Sequence, residues 1–239
     1  MRILFVRHAE PDYEHDTLTE KGFREAHLLT KRLQKEDIHT IYVSPLGRAL
    51  DTIEEYIDHS SAPFYILDWL SEVPGVYKNL KGQDIYTRDE PILQFDLDDD
   101  NYDNSKWKKA KEIQDTNIVA YYELVCRLFD NLLESLGYKR KGNYYKVLSE
   151  THRTILIVCH LGIQSALVSH LVNIPFRAFG QHFSPAPSSV TTIYTEERVK
   201  GIAQFRIQSF GDVSHLYAGK EEISFAGRFR ECASDNKRK

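Results

Sequence analysis

Runs of consecutive apolar residues alternate along this chain with stretches in which apolar residues recur every three or four positions. The consecutive runs predict buried strands, because a strand covered on both faces has no polar side. They lie within residues 3–6, 64–67 and 154–159, and the β-branched and aromatic residues of segment 38–43 predict a further strand. The periodic stretches predict amphipathic helices over residues 20–35 and 118–136, and two more helices are expected after Ser44 and His160. Strands that alternate with helices predict an α/β fold, a three-layer αβα sandwich around a mostly parallel sheet.

Helix caps refine the first half of this prediction. Thr19 precedes the first predicted helix and is a favourable N-cap residue. Ser44 is followed by Pro45, so we expect Ser44 to cap the second helix and Pro45 to take its first position. In the first helix, Phe23 and Leu29 belong to one apolar face, which is expected to pack against the sheet.

The pattern changes in the middle of the chain. Residues 73–117 lose the periodicity, because Pro and Gly interrupt it and residues 96–103 form an acidic run. We expect a cap-like insertion over the core, part loop and part helix. Residues 139–143 are predicted to be a solvated basic turn, and the segments 190–195 and 203–207 are predicted to form a late hairpin.

The composition fits a single domain that spans residues 1–239. A chain of this length buries most of its unfolded surface, so it needs no disulfide to fold. The formal net charge of −4 provides no basic field for nucleic acid. No apolar run reaches the ~18 residues of a membrane span. Cys126, Cys159 and Cys232 lack metal-ligand spacing, and their odd number suits the reduced thiols of a cytoplasmic protein.

Polar residues that could bind a ligand or act in catalysis follow several predicted strands. Arg7 and His8 come directly after the first strand, Arg48 follows the second, and His160 follows the most apolar one. Because parallel strands end at the same edge of a sheet, these side chains are expected to converge although they are far apart in sequence. Glu72, after the short third strand, can join them.

Phosphoryl transfer through histidine needs this set of groups. A neutral imidazole acts as the nucleophile, and cations with backbone amides stabilise the phosphoryl oxygens. Arg7 and Arg48 suit the cationic role, and the amides that open the helix after His160, starting with Leu161, suit the second. A carboxyl group then protonates the leaving alkoxide. Glu72 is the candidate, with Asp68 and Asp84 as rivals.

Several segments together resemble the histidine phosphatase superfamily, in the branch that includes phosphoglycerate mutases. They are residues 7–10 (RHAE), 18–22 (LTEKG), 44–49 (SPLGRA), 70–72 (LSE), 160–162 (HLG) and 212–216 (DVSHL). The resemblance implies a phosphoglycerate mutase-like fold and a phosphohistidine at His8. It implies that Arg7, Arg48 and His160 bind the phosphoryl group, and that Glu72 is the proton donor and then the base for water. It implies no metal and no other cofactor.

The chain departs from the family pattern just after the histidine. Ala9 stands where the family often has Gly, and Pro11 where it often has Thr or Ser. Glu14 stands where an Asn often helps to bind phosphate. Because a carboxylate would repel phosphate, we assign Glu14 no role, and the loop of residues 11–14 is where this protein is expected to differ.

The function we expect from the sequence is hydrolysis of a small-molecule phosphomonoester, with no nucleic-acid or membrane partner. Two alternatives remain open. The first is a mutase that returns the phosphate to a second hydroxyl group, and the second is a non-catalytic phosphate-binding scaffold. Substrate specificity is expected to lie in residues 73–117, whose acidic character disfavours a highly phosphorylated substrate. The physiological substrate and the oligomeric state do not follow from the sequence.

Overall fold

The structure is a computed structural model that describes residues 1–72, 76–78, 84–96, 98–114 and 116–234. Its strands are β1 (Arg2–Arg7), β2 (Pro11–Asp12), β3 (Thr17–Leu18), β4 (Thr40–Val43), β5 (Phe64–Ile66), β6 (Val76–Lys78), β7 (Asp84–Tyr86), β8 (Tyr138–Lys141), β9 (Tyr144–Val147), β10 (Thr154–Cys159), β11 (Val190–Val199) and β12 (Ile202–Asp212). Its helices are α1 (Glu20–Leu33), α2 (Gly47–Asp58), α3 (Ile92–Phe95), α4 (Ile118–Ser135), α5 (Leu161–Val172), α6 (Phe176–His182) and α7 (Ser214–Gly219). Short 3₁₀ helices lie at Asp68–Leu70, Thr87–Asp89, Asp99–Tyr102, Trp107–Lys109 and Lys111–Ile113.

The central sheet has the strand order β5-β4-β10-β1-β11-β12-β9-β8. The four strands from β5 to β1 are parallel, and each later neighbour is antiparallel to the one before it. Six of the eight strands therefore point the same way, since only β11 and β9 run against β1. In the centre, Arg7 of β1 pairs with Cys159 of β10. The two candidate histidines thus follow paired residues at the same edge of the sheet.

Each face of the sheet packs against its own helices. On β1, Ile3 and Phe5 belong to the core shared with α4 and α5, whereas Leu4 and Val6 belong to the core shared with α1 and α2. The strand is buried on both faces, as its unbroken apolar run predicts. The α/β fold with three layers and a mostly parallel sheet is confirmed, and so is the late hairpin of β11 and β12.

The caps are confirmed at one helix and wrong at the other. Thr19 accepts a hydrogen bond from the Gly22 amide (3.0 Å) and caps α1. Helix α2 begins at Gly47, so Ser44 does not cap it and Pro45 is not its first residue. The physical reason is that the Ser44 hydroxyl is engaged with a neighbouring strand end, as the site below shows.

Phe23 does not pack on the sheet as predicted, because its side chain is half exposed. The buried face of α1 is rotated away from Phe23 and includes Glu25 and Thr30 beside the expected Leu29. Glu25 lies inside because its carboxylate accepts a hydrogen bond from the Glu10 amide (2.9 Å). The pattern of apolar residues did not predict that Glu25, a charged residue, would lie on the buried face.

The basic turn predicted at residues 139–143 is instead part of a hairpin. Strands β8 and β9 pair with each other, and β9 pairs with β12, so the hairpin forms the edge of the central sheet. Tyr138 and Tyr145 are buried on its inner face, where Arg140 donates to the Tyr145 hydroxyl (2.6 Å). The pattern of buried and exposed residues was not recognised in the sequence because lysines lie between the two tyrosines.

The described part of the predicted insertion contains the β6-β7 hairpin, α3 and several 3₁₀ helices. Trp107 of this segment is buried, and its ring centroid lies 4.9 Å from that of Tyr122 in α4. Residues 73–75, 79–83, 97 and 115 lie outside the described residues, and the cap-like role of residues 73–117 stays a prediction. Within the described ranges, no helix combines the length and the apolar character that crossing a membrane requires.

Candidate active site

His8 and His160 lie side by side at the carboxyl edge of the parallel strands. The His8 amide donates to the Cys159 carbonyl (2.9 Å), which continues the pairing of β1 with β10 by one residue. The two imidazole ring centroids are 5.1 Å apart. The sequence therefore placed these two residues correctly, because strand pairing alone brings them together.

The hydrogen bonding of His8 sets which of its ring nitrogens can react. Nδ1 lies 2.8 Å from the carbonyl oxygen of Ala9. Because a carbonyl oxygen can only accept, Nδ1 carries the proton, and in the neutral ring the lone pair is on Nε2. Burial, followed by the charges of Arg7 and Arg48, lowers the pKa of His8 to about 3. The imidazole is thus neutral and nucleophilic at pH 7.

We assign the same Nδ1–H tautomer to His160, through a different contact. The Ser44 hydroxyl accepts a hydrogen bond from the Leu46 amide (3.3 Å) and lies 2.7 Å from His160 Nε2. A hydroxyl can accept from an amide and donate its own proton at the same time, so we assign that proton to the bond with Nε2, which places the ring proton of neutral His160 on Nδ1. Nδ1 is buried and has no partner among the described residues. Burial and the neighbouring His8 lower the pKa of His160, which keeps this ring neutral.

Two arginines present further donors. The Nη1 of Arg7 donates to the Pro185 carbonyl (2.9 Å) and its Nη2 to the Ala226 carbonyl (3.0 Å). The Nη1 of Arg48 is bonded to the Asp16 carboxylate. In each side chain, Nε is buried without a partner in the part of the chain that the structure describes. Both guanidinium groups are thereby held in place, and the Nε–H of each is left for a ligand.

Asp16 holds Arg48, although no motif in the sequence indicated this contact. Its backbone is left-handed, with a φ of 50°. One carboxylate oxygen bonds Arg48 and the other accepts from the Gly47 amide (2.8 Å), so Asp16 ties the loop to the start of α2. Glu14, two residues earlier, has an exposed side chain, and we assign it no role in the site.

Removing the Asp16 carboxylate is expected to weaken phosphate binding. In Asp16→Ala, Arg48 loses its anchor, and we expect kcat/KM to fall by about 10- to 100-fold with a matching rise in the inhibition constant of inorganic phosphate. Steady-state kinetics with phosphate as inhibitor measures both. Asp16→Asn keeps one acceptor and should recover part of the loss, and Glu14→Ala is the matched control. Equal kinetics for Asp16→Ala and Glu14→Ala would refute this role.

Glu72 is placed over the first turn of α5. Its Oε1 accepts from the Ile163 amide (3.2 Å). Gly162 makes this approach possible, because a Cβ there would lie 2.5 Å from the same oxygen. Of its predicted rivals, Asp68 is exposed, and the side chain of Asp84 lies outside the described residues. Leu161 is the first residue of α5, as expected, and its side chain is buried.

Two further side chains near these groups were not found from the sequence. The Tyr13 ring stands edge-on to His8, with centroids 6.4 Å apart, and the Arg48 guanidinium lies 5.5 Å from its centroid. Arg88, from the predicted insertion, has its Nη1 3.9 Å from Glu72 Oε2. Within the described residues, no cluster of three His, Cys, Asp or Glu side chains is arranged to hold a metal ion.

The buried histidines predict a loss of stability in mild acid. The pKa of His8 is lowered to about 3 and that of His215 to about 4, both chiefly by burial, and that of His160 is lowered too. Below the unfolded value of about 6.5, the unfolded chain binds more protons, so the free energy of unfolding falls by up to about 1.4 kcal/mol per pH unit for each group. Glu25 opposes this, because burial raises its pKa to about 7 and its contribution is lost as pH rises from about 4.5 to 7.

We therefore expect the free energy of unfolding, measured with denaturant, to decrease between about pH 6.5 and pH 5, since three histidines outweigh one glutamate. His8→Asn should reduce the slope and Glu25→Gln should steepen it. A slope that neither substitution changes would contradict the assignment.

Comparison with known proteins gives the class of this fold and site. Residues 3–123 match the sequence model of the histidine phosphatase superfamily, branch 1. This match covers half of the chain, and the protein belongs to that family.

Individual relatives agree with this class. The chain is 28% identical over 229 residues to Probable phosphatase C1687.21 of Schizosaccharomyces pombe, covering 90% of this chain and 95% of the relative. A mutant of phosphoserine phosphatase from Entamoeba histolytica, in complex with phosphoserine, superposes with a TM-score of 0.58 at 17% identity, over 90% of this chain and 98% of that one. The alpha-ribazole phosphatase from Shigella flexneri gives a TM-score of 0.56 at 21% identity, over 89% and 97%. At these identities the two structures establish the fold.

Proposed function

We propose that this protein is a phosphatase that hydrolyses small-molecule phosphomonoesters through a phosphohistidine at His8. The observation that carries the proposal is the set of three buried N–H groups without a partner among the described residues: Arg7 Nε, Arg48 Nε and His160 Nδ1. Burying an unpaired donor costs about 1–3 kcal/mol, so three near one nucleophile are best explained by a ligand with several acceptor oxygens. A phosphoryl group has three such oxygens. The family and the name of the S. pombe relative support the same activity.

The first half of the proposed reaction transfers the phosphoryl group to the enzyme. The Nε2 lone pair of His8 attacks phosphorus, and the bond from phosphorus to the ester oxygen breaks. Glu72, in its protonated form, gives its proton to the departing oxygen, so an alcohol leaves. Arg7, Arg48 and His160 hold the three phosphoryl oxygens while charge redistributes among them.

The second half releases phosphate. Glu72 is now a carboxylate and takes a proton from a water molecule, whose oxygen attacks the phosphorus of phosphohistidine. The bond between phosphorus and Nε2 breaks, inorganic phosphate leaves, and His8 returns to its starting tautomer. Its Nδ1 keeps its proton and donates it to the Ala9 carbonyl throughout, which holds the orientation of the ring and keeps the lone pair on Nε2.

We also propose that the reaction needs no metal ion and that the protein is cytoplasmic. The cationic role belongs to Arg7 and Arg48, so activity is expected to persist in excess EDTA. The buried Cys126 and Cys159 and the exposed Cys232 are free thiols, which favours the reducing cytoplasm.

A phosphate-release screen tests this function. The wild-type protein is assayed against a panel of phosphomonoesters and 4-nitrophenyl phosphate, with His8→Ala in parallel and with EDTA present. The proposal expects release by wild type alone. No release on the whole panel would favour a non-catalytic scaffold. Isomerisation of a phosphoglycerate that outpaces its hydrolysis would show a mutase.

A further inference from the structure

Arg88 is a third cation at the site and lies on the side of the proposed proton donor. Its Nη1 is 3.9 Å from Glu72 Oε2 and its Nε is 3.7 Å from Asp89 Oδ1. Both distances exceed that of a hydrogen bond. Its guanidinium lies 4.3 Å from the ring centroid of Tyr86, and its side chain is 21% exposed. Arg88 thus donates no hydrogen bond to any residue that the structure describes, although it is largely buried.

The position of Arg88 is fixed by a salt bridge inside the protein. Two residues further along, the Glu90 carboxylate bonds to Arg177 of α6, and both side chains are fully buried. Gln181 of the same helix donates to the Glu90 carbonyl (3.1 Å). A buried pair of this kind costs much of its attraction in desolvation, so it is better suited to fix a geometry than to add stability. It holds the segment that carries Arg88 against α6.

The location of Arg88 decides which part of a substrate it can meet. A Cβ on Gly162, in the first turn of α5, would lie 3.1 Å from Arg88 Nη1 and 2.5 Å from Glu72 Oε1. Arg88 and Glu72 therefore border the same space above that turn. Because Glu72 is proposed to protonate the leaving oxygen, Arg88 is beside the leaving group, whereas Arg7 and Arg48 are assigned to the phosphoryl group.

The local charge decides which chemical group fits there. The planar fork of a guanidinium matches a carboxylate through two parallel hydrogen bonds. Among the described residues, Glu72 and Asp89 flank Arg88. With Glu72 protonated, as the proposed reaction requires, a second phosphate with up to two negative charges would meet this arginine and the Asp89 carboxylate. A monoanionic carboxylate is the better match.

We propose that Arg88 binds a carboxylate of the leaving group, so that the substrates are phosphate esters of hydroxy acids. This inference rests on the proposed phosphatase function, and it narrows the substrate class. It assigns specificity to one residue of the predicted insertion and leaves the chemical steps at His8 and Glu72 unchanged.

Two pairs of probes that differ mainly by a carboxylate test the inference. They are 3-phosphoglycerate with glycerol 3-phosphate, and phosphoserine with phosphoethanolamine. For wild type, kcat/KM is expected to be about 10- to 100-fold higher for the carboxylate-bearing member of each pair, as for a charge-assisted hydrogen bond. Arg88→Met should bring this ratio close to one. Arg88→Lys keeps the charge without the fork and should give an intermediate ratio.

Matched controls separate the possible outcomes. Arg127→Met removes an exposed arginine of α4 and should leave both members of each pair unchanged. A wild-type ratio near one overturns the inference. It is also overturned if Arg88→Met lowers kcat/KM equally for both members of a pair and so preserves the ratio, because Arg88 would then act on Glu72. A preference of wild type for a bisphosphate over 3-phosphoglycerate also overturns it. Hydrolysis of 4-nitrophenyl phosphate is followed in parallel, because its absence would refute the phosphatase function itself.

Discussion

Replacing His8 with Ala is expected to lower kcat by at least about a thousand-fold on every phosphomonoester, because the reaction loses its nucleophile. The remaining donors at Arg7, Arg48 and His160 still bind phosphate, so KM should change much less than kcat. The fold should persist, because His8 follows β1 and contributes no apolar packing to either core. Steady-state kinetics and thermal unfolding of the same preparation check both statements.

His15→Ala is the matched control for this substitution. His15 lies on the same loop but is exposed and pairs with Asp12 (2.7 Å). Its removal should leave kcat unchanged. His8→Asn serves as a second variant that keeps a polar side chain in the buried position. Phosphatase activity in His8→Ala within about tenfold of wild type, in a folded protein, would end the proposal of a nucleophilic histidine.

Replacing Glu72 with Gln is expected to have the next largest effect. Gln keeps an oxygen that can accept from the Ile163 amide, but it cannot exchange a proton. General acid–base catalysis contributes about 10²- to 10⁴-fold, so kcat for an alkyl phosphate should fall within that range. Asp68→Asn removes a rival carboxylate that is exposed, and it is expected to leave kcat unchanged.

The leaving group separates the two roles proposed for Glu72. 4-Nitrophenolate leaves readily without a proton, so the first turnover of 4-nitrophenyl phosphate should survive in Glu72→Gln. The later attack of water still needs a base, so a rapid burst followed by slow turnover is expected in stopped-flow measurements. If an alkyl phosphate and 4-nitrophenyl phosphate lose the same factor in both phases, Glu72 is not the proton donor. A loss in Asp68→Asn alone would move the role to that residue.

The fold and the pair of histidines in the site were predictable because they depend on strand pairing. Unbroken apolar runs identify β1 and β10, and residues that follow paired strands share one edge whatever their separation in sequence. His8 and His160 meet for this reason. The β8-β9 hairpin was missed because its two buried tyrosines, Tyr138 and Tyr145, are separated by charged and turn residues.

The groups that tune the site were not predictable, because they depend on local geometry. Ser44 was assigned to a helix cap, which its residue type and the following proline favour, but its rotamer turns it to His160. Asp16 reaches Arg48 because its own backbone is left-handed, and the sequence does not predict this conformation. Arg88 belongs to a stretch without periodicity, and only the buried contact between Glu90 and Arg177 places it.

The central claim is a covalent phosphoenzyme at His8, and trapping it is the most direct measurement. Wild-type protein is mixed with a radiolabelled phosphomonoester, quenched in alkali during turnover, and digested for mass spectrometry. We predict a label that is labile in acid and stable in base, located on the peptide that contains His8 and absent from His8→Ala. A protein that turns over substrate without such a label, or that carries it on another residue, would contradict the proposal.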